Sequence, residues 1–288
     1  MMKTLIIING RYRNKPAASR VLREADAHPD IKTVFTGCPG QAGTLAARAA
    51  ECEMLVAAGG DGTVFEVLNA MDLKNQTLGV IPLGRSNAFA CDLGLKSPEK
   101  ALAAIREGRP RQIDIIECLM RNENTELKKY FLSTAGLGIA QAVPAFANQH
   151  LKTLGNAGYM LAACLLPLVS SPLRAVIQVN GGPAQAIAFN IFVLNNTPHM
   201  GMLEVFPGAR MDDGIFDFFY GRTNFFTQFA WNIAPADRLK DHQPGKQSAA
   251  RLSLRLEKPE FVALDGEQLC PAQEITFRIA PLKLKVMT

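Results

Sequence analysis

The sequence lacks any paired-cysteine signature. Its six cysteines (Cys38, Cys52, Cys91, Cys118, Cys164 and Cys270) are scattered, and no two form a C-x-x-C pair. A zinc knuckle and a dithiol redox motif are therefore not signalled, and free thiols in a reducing cytosol are expected. The four histidines are far apart, with no H-E-x-x-H or Cys/His spacing to suggest zinc. There is no block of five or six Lys/Arg. With a net charge of +5, nucleic acid is not an expected partner. The mild positive excess would suit phosphate-bearing ligands or an anionic membrane surface. No apolar run reaches the roughly 20 residues of a membrane span. The richest, Ala157 to Val169, is short and broken by Pro167, with Pro172 just beyond, so it reads as a buried or lipid-facing helix. The opening apolar run Leu5-Ile6-Ile7-Ile8 is too short for a signal-peptide core and reads as a first strand. Internal repeats and low-complexity tracts are missing as well.

What is present is an apolar fraction of 48%, enough for a sizeable core, in a chain of 288 residues. That length holds one large domain or two ordinary ones. The first part alternates strand and helix. Strands are predicted at 5–9, 33–36, 54–58 and 78–82, and helices at 17–27, 42–51, 64–71, 87–93 and from Ser97-Pro98-Glu99 to Gly108. Ser97 suits an N-cap and Pro98 a first turn. This βαβα order predicts a parallel sheet covered by helices. After about Glu117 the pattern changes. Strands are predicted at 174–180, 186–194, 215–220, 251–256, 260–264 and 274–279, and helices at 139–171 and 224–236, with a polar loop over 237–248. Alternation in Arg251–Leu256 and Glu274–Ile279 fits half-exposed antiparallel strands.

The strongest local signal is Met54-Leu55-Val56-Ala57-Ala58-Gly59-Gly60-Asp61-Gly62-Thr63-Val64-Phe65-Glu66. An apolar strand ends in a glycine turn and a helix follows at once. Glycines let backbone N–H groups approach an anion, and the helix N-terminus favours it. Thr63 with Glu66 also fits a capping box, a purely structural reading of that pair. A carboxylate at Asp61 repels phosphate unless a cation bridges them or a proton is removed there.

Gly59-Gly60-Asp61-Gly62-Thr63 resembles the nucleotide motif of the superfamily of diacylglycerol, sphingosine and NAD kinases and phosphofructokinases. Ile81-Pro82-Leu83-Gly84-Arg85-Ser86-Asn87-Ala88-Phe89-Ala90 is similar to the second motif of the lipid kinases, and the N-T-D element of NAD kinases is absent. Ile113-Asp114, Gly136 to Gly138, Leu154-Gly155 with Tyr159, Asp212-Asp213-Gly214 and Leu264-Asp265-Gly266-Glu267 follow in family order. Over nearly its whole length the chain resembles the diacylglycerol kinase catalytic-domain family.

The resemblance implies an α/β fold of two domains with a cleft between them. Residues 1–117, rejoined by 281–288, would form a parallel α/β nucleotide-binding domain. Residues 118–280 would form a β-rich, antiparallel, sandwich-like lipid-substrate domain. The activity implied is a lipid kinase using ATP and Mg²⁺ on a diacylglycerol-like hydroxyl. Asn9, Thr36, Gly59, Gly60, Asp61, Gly62, Thr63, Glu66, Arg85, Ser86 and Asn87 would line the nucleotide site. Asp265 and Glu267 match the element that carries the family's proton acceptor, with Asp61 opposing them. Asp213, with the carbonyls of Arg210 and Ile215, matches a structural Mg²⁺ site. A lipid at a membrane surface is the expected partner, with no transmembrane segment. The expected location is cytoplasmic, extending to the inner membrane face. Oligomeric state stays open, a homodimer included.

Three positions depart from the family pattern: Gly10-Arg11-Tyr12-Arg13 after Asn9, Arg85, which could pair directly with phosphate, and Ala88, where bacterial diacylglycerol kinases carry Asp. Gln141 stands near where sphingosine kinases use Asp. The competing readings are a kinase of a soluble substrate such as NAD and a non-catalytic nucleotide- or lipid-binding homologue.

Overall fold

The computed structural model describes residues 2–123, 125–200, 203–204, 206–222 and 246–288. The chain divides into two compact units, Met1–Ile115 with Ala280–Thr288, and Ile116–Ile279.

The first unit opens with strand β1 (Thr4–Ile8), helix α1 (Pro16–Asp26), β2 (Ile31–Phe35), α2 (Gln41–Ala47), β3 (Met54–Gly59), α3 (Asp61–Leu68), β4 (Thr77–Pro82), α4 (Ala88–Asp92) and α5 (Pro98–Glu107). The strands form a parallel sheet in the order β2-β1-β3-β4. Every residue of β3 and β4 is buried, which explains their unbroken apolar sequences. The Ser97 hydroxyl accepts the Lys100 N–H at 3.3 Å, and Pro98 occupies the first turn of α5.

The second unit takes in β5 (Pro110–Asn122), which begins in the first unit, then β6 (Thr125–Phe131), β7 (Thr134–Gly138), α6 (Ile139–His150) and α7 (Asn156–Val169). Strands β8 (Leu173–Val179), β9 (Gln185–Phe189) and β10 (Ile191–Asn195) follow, then the short pair β11 (His199–Met200) and β12 (Leu203–Glu204), and β13 (Phe216–Gly221). Strands β14 (Gln247–Ala249), β15 (Arg251–Leu264) and β16 (Glu267–Met287) complete the chain. The order β14-β13-β10-β7-β15-β16 is antiparallel throughout, and β8 and β9 extend it from β15. Its core is aromatic: the Phe192 ring lies 6.2 Å from Phe218 and 6.1 Å from Phe277, and Phe131 meets Phe277 edge-on at 6.0 Å. The fold is thus mixed α/β, with an N-terminal parallel sheet and C-terminal antiparallel strands.

Several expectations need correction. The helical stretch 139–171 is two helices, broken at 151–155, where Gly155 adopts φ 56. The strand at 186–194 divides at Asn190 into β9 and β10. Strands at 251–256 and 260–264 join into β15, which absorbs a register shift between Arg255 and Glu260. The strand at 274–279 is the middle of the 21-residue β16. Strands β5 and β6 were not among the expected elements, and β6 is polar along much of its length. The end of the loop at 237–248 is strand β14, and Ala249 pairs with Phe216. The helix expected at 224–236 and the loop residues 237–245 lie outside the described residues.

The C-terminal end of β16 belongs to the first unit. Lys285 and Val286 pair in parallel with Thr77 and Leu78, and Leu284, Val286 and Met287 are buried. The Lys283 ammonium lies 3.1 Å from the buried Asp114 carboxylate. Lys283→Met should lower unfolding free energy by about 2 kcal/mol in a urea titration, less than for a fully buried pair because the lysine is partly solvated.

Candidate functional site

In open parallel sheets ligands bind beyond the carboxyl ends of the strands. Here four loops leave those ends and are tied together by side chains. After β1, the Asn9 side-chain amide donates to the Thr63 hydroxyl at 3.0 Å. After β2, the Thr36 hydroxyl accepts the Gly10 N–H at 3.1 Å. A Cβ at Gly10 would overlap the Thr36 carbonyl oxygen, which explains the glycine at this departure from the family pattern. After β3, Gly59 accepts the N–H groups of Leu83 and Gly84 at 2.9 and 3.1 Å. After β4, the Asn87 side chain accepts the Gly84 N–H at 2.9 Å and donates to the Gly84 carbonyl at 3.1 Å. A Cβ on Gly84 would lie 2.7 Å from the Asn87 oxygen and press on the Gly60 Cα, so the two glycine turns meet backbone to backbone.

Helix α3 carries the two carboxylates of this edge, and both brace neighbouring helices. Asp61 accepts the Ala88 N–H at 3.2 Å and the Phe89 N–H at 3.4 Å, closing the start of α4. Glu66 accepts the Gly40 and Ala42 N–H groups at 2.9 and 3.0 Å, closing the start of α2. The capping box of Thr63 with Glu66 is not formed: Gly60 caps α3 without a side-chain bond, and Glu66 is spent on α2. The first N–H groups of α3 have no acceptor within their own helix, as at any helix start. Gly62 belongs to that first turn. Arg85 and Ser86 are exposed on the turn after β4. Ala88 is buried beside Asp61.

Lys15 escaped the sequence reading. Its ammonium lies 3.4 Å from the Leu83 carbonyl and 4.8 Å from the Tyr12 ring centroid, at the glycine turns. Its place in the loop that departs from the family pattern was the one available signal.

Burial pushes the Asp61 carboxyl above its ordinary value, and the N–H groups of Ala88 and Phe89 draw it partly back.

In the second unit, Asp265 and Gly266 form a two-residue hairpin turn between β15 and β16, with φ of 47 and 84 and Leu264 paired with Glu267. The Asp-Gly dipeptide between apolar runs is its sequence signal. The Asp265 carboxylate accepts the N–H groups of Leu132, Ser133 and Thr134 at 2.9, 2.8 and 3.0 Å. Glu267 is exposed just past the turn.

Arg210, Asp213 and Ile215 line a cavity of about 230 Å³ together with Asn195, Asn196, Asp217, Lys246 and Ser248. Asp213 accepts the Ile215 N–H at 3.3 Å, while Lys246 holds Asp217 at 2.9 Å. Among the described residues no group of three or more His, Cys, Asp or Glu side chains could hold a metal. A donor set of one carboxylate and backbone carbonyls still fits a Mg²⁺ ion that keeps several waters. Asn195 also accepts from the Thr134 hydroxyl at 2.5 Å, linking this cavity to the strand that Asp265 grips.

The structure therefore gathers Asn9, Thr36, Gly59 to Thr63, Glu66 and Asn87 in the first unit, with Arg85 and Ser86 on the rim. In the second it gathers Asp265 with Glu267, and Arg210 with Asp213 and Ile215.

The diacylglycerol kinase catalytic domain model matches residues 3–118. A diacylglycerol kinase of Bacillus subtilis is 30% identical over 282 residues, spanning 93% of this chain and 90% of its own. A protein of Chromohalobacter salexigens named "Probable lipid kinase YegS-like" is 30% identical over 74% of this chain and 69% of its own. Among solved structures, a diacylglycerol kinase of Bacillus anthracis superposes with a TM-score of 0.74 at 18% identity, covering 99% of this chain and 96% of that one. An NAD kinase of Archaeoglobus fulgidus in complex with ATP superposes with a TM-score of 0.56 at 13% identity, covering 99% and 93%. The fold is thus one that diacylglycerol and NAD kinases share. The sequence relatives narrow it, and the chain belongs to the diacylglycerol kinase catalytic-domain family.

The raised Asp61 value has a consequence for stability. The folded protein holds this proton more tightly than the unfolded chain, so ionised Asp61 costs stability at neutral pH. That cost is fully present above the raised folded-state value and disappears as pH falls from there to the ordinary carboxylate value. In thermal melts from about pH 7 to pH 4, wild type should gain stability relative to Asp61→Asn.

Proposed function

We propose that the protein is a lipid kinase that transfers the γ-phosphate of ATP to a hydroxyl of a diacylglycerol-like lipid. The observation that carries this reading is the interlocked pair of glycine turns, Gly59–Gly60 against Gly84, at the start of α3. Backbone there can approach an anion without side-chain obstruction, and the helix start favours negative charge. Lys15 and Arg85 add cations at the rim, offsetting phosphate charge. Asn9, Thr36, Glu66 and Asn87 act mainly by fixing the loops.

Phosphoryl transfer rests on positioning and charge neutralisation. Mg²⁺, when bound, would neutralise phosphate charge beside Asp61 and would brace the 210–215 turn at Asp213 and the Arg210 and Ile215 carbonyls. The acceptor hydroxyl must also lose a proton. Both Asp265 oxygens are committed to backbone donors, so Asp265 is assigned the role of holding the turn. Glu267, carried by that turn, is assigned the role of proton acceptor.

Label from γ-labelled ATP should enter the organic extract when diacylglycerol is supplied. Glu267→Gln should reduce that transfer by at least about a hundredfold without loss of folding. Asp265→Asn should lower both transfer and melting temperature. Asp61→Asn should also cost about a hundredfold in transfer. Unchanged turnover in Glu267→Gln would remove it from the proton-transfer step.

One observation favours a second reading. Both Asp61 oxygens already serve α4, as they would in a nucleotide-binding homologue without transfer. ATP binding with no labelled product across a broad lipid panel would select that reading.

A further inference from the structure

Helix α7 is built the wrong way round for a water-facing helix. Its small residues Gly158 and Ala162 are buried, whereas Met160, Leu161, Leu165, Leu168 and Val169 are exposed, the last two by 64% and 80%. Leu161, Leu165 and Leu168 follow the spacing of one helix face. The inner side is already accounted for. α7 packs on α6, and α6 packs through Ile139 and Val143 on Ile191, Val193 and Phe219. Isolated exposed leucines are ordinary on protein surfaces, but a continuous apolar face marks something that covers it.

The charge pattern says what covers it. No Asp or Glu occurs between Glu126 and Glu204, and no charged residue at all between Lys152 and Arg174. The apolar helix is therefore bracketed by cations in sequence. Exposed Arg174 lies 4.0 Å from Glu257, where both side chains are solvated. An uncharged apolar helix face flanked by basic residues and set in an acid-free tract complements a lipid interface with anionic headgroups. At 14 residues α7 is too short to cross a bilayer, and no described helix is long and apolar enough to do so.

We propose that the outer face of α7, centred on Leu161, Leu165 and Leu168, is a docking surface that lies in the headgroup region of an anionic membrane. This deepens the lipid-kinase reading and rests on it for its purpose, since such an enzyme must meet a substrate held in a bilayer. The exposed leucines enter the acyl boundary, while Arg174 stays at the level of the phosphates.

The test uses the full chain, vesicles of phosphatidylglycerol with phosphatidylethanolamine, and a short-chain diacylglycerol presented without vesicles. The Leu161→Gln/Leu165→Gln/Leu168→Gln variant should bind vesicles at least about tenfold more weakly than wild type. It should keep its melting temperature and its transfer to the short-chain lipid. Arg174→Gln should weaken binding to these vesicles and leave binding to pure phosphatidylcholine unchanged, and salt should reduce the difference. Equal vesicle binding by wild type and the triple variant would overturn the proposal. So would a wild-type dimer that the triple variant dissolves, since a second copy would then cover the face. A large fall in the variant's melting temperature with vesicle binding retained would show that the chain covers the face itself. Vesicle binding lost in the variant, with no transfer by wild type to any lipid, would leave the docking face standing and end the kinase reading.

Discussion

The first unit depends on helix α3 and the two acids it carries. Asp61 holds the start of α4, and Glu66 holds the start of α2. A carboxylate accepting backbone N–H groups at a helix start satisfies donors that would otherwise go unpaired, and it complements the helix dipole. Two such caps from one short helix fix the loops after β2 and β4 relative to the turn after β3. Asn9 adds the loop after β1 through Thr63. The glycine turns can then approach each other closely because their backbone is held from several sides.

The second unit solves a similar problem with one residue. Asp265 grips three consecutive backbone N–H groups of the 132–134 segment while forming the tight turn between its two longest strands. Residue 267 therefore follows a tight hairpin turn pinned by three backbone bonds rather than a loose loop. The Thr134–Asn195 bond extends the same network toward Asp213. Each unit thus places acids at backbone donors.

Much of this could be read in advance where periodicity and turn chemistry agree. The apolar strands β1, β3 and β4, the Ser97-Pro98 helix start and the Gly59–Thr63 turn all carry local signals strong enough to fix element type. Signals failed where tertiary pairing overrides local pattern. Strand β6 is polar along much of its length and forms because β5 pairs with it. The break between α6 and α7 falls at the polar stretch 148–156, where Gly155 adopts a positive φ that residue type alone does not announce. Lys15 sits in a loop with no motif of its own.

By itself the sequence determined the elements of the parallel sheet, the glycine-lined bend and the family pattern, because these follow from hydrophobic spacing and from residues only certain turns accept. Tertiary structure alone decided what the acids do. From sequence, Asp61 and Asp265 read as site carboxylates and Glu66 as either a site group or the capping partner of Thr63, since a carboxylate shows its function only through the donors that surround it. Those donors belong to residues far away in the chain. Helix α7 follows the same logic: composition made it apolar, but only the folded chain shows which of its faces remains uncovered.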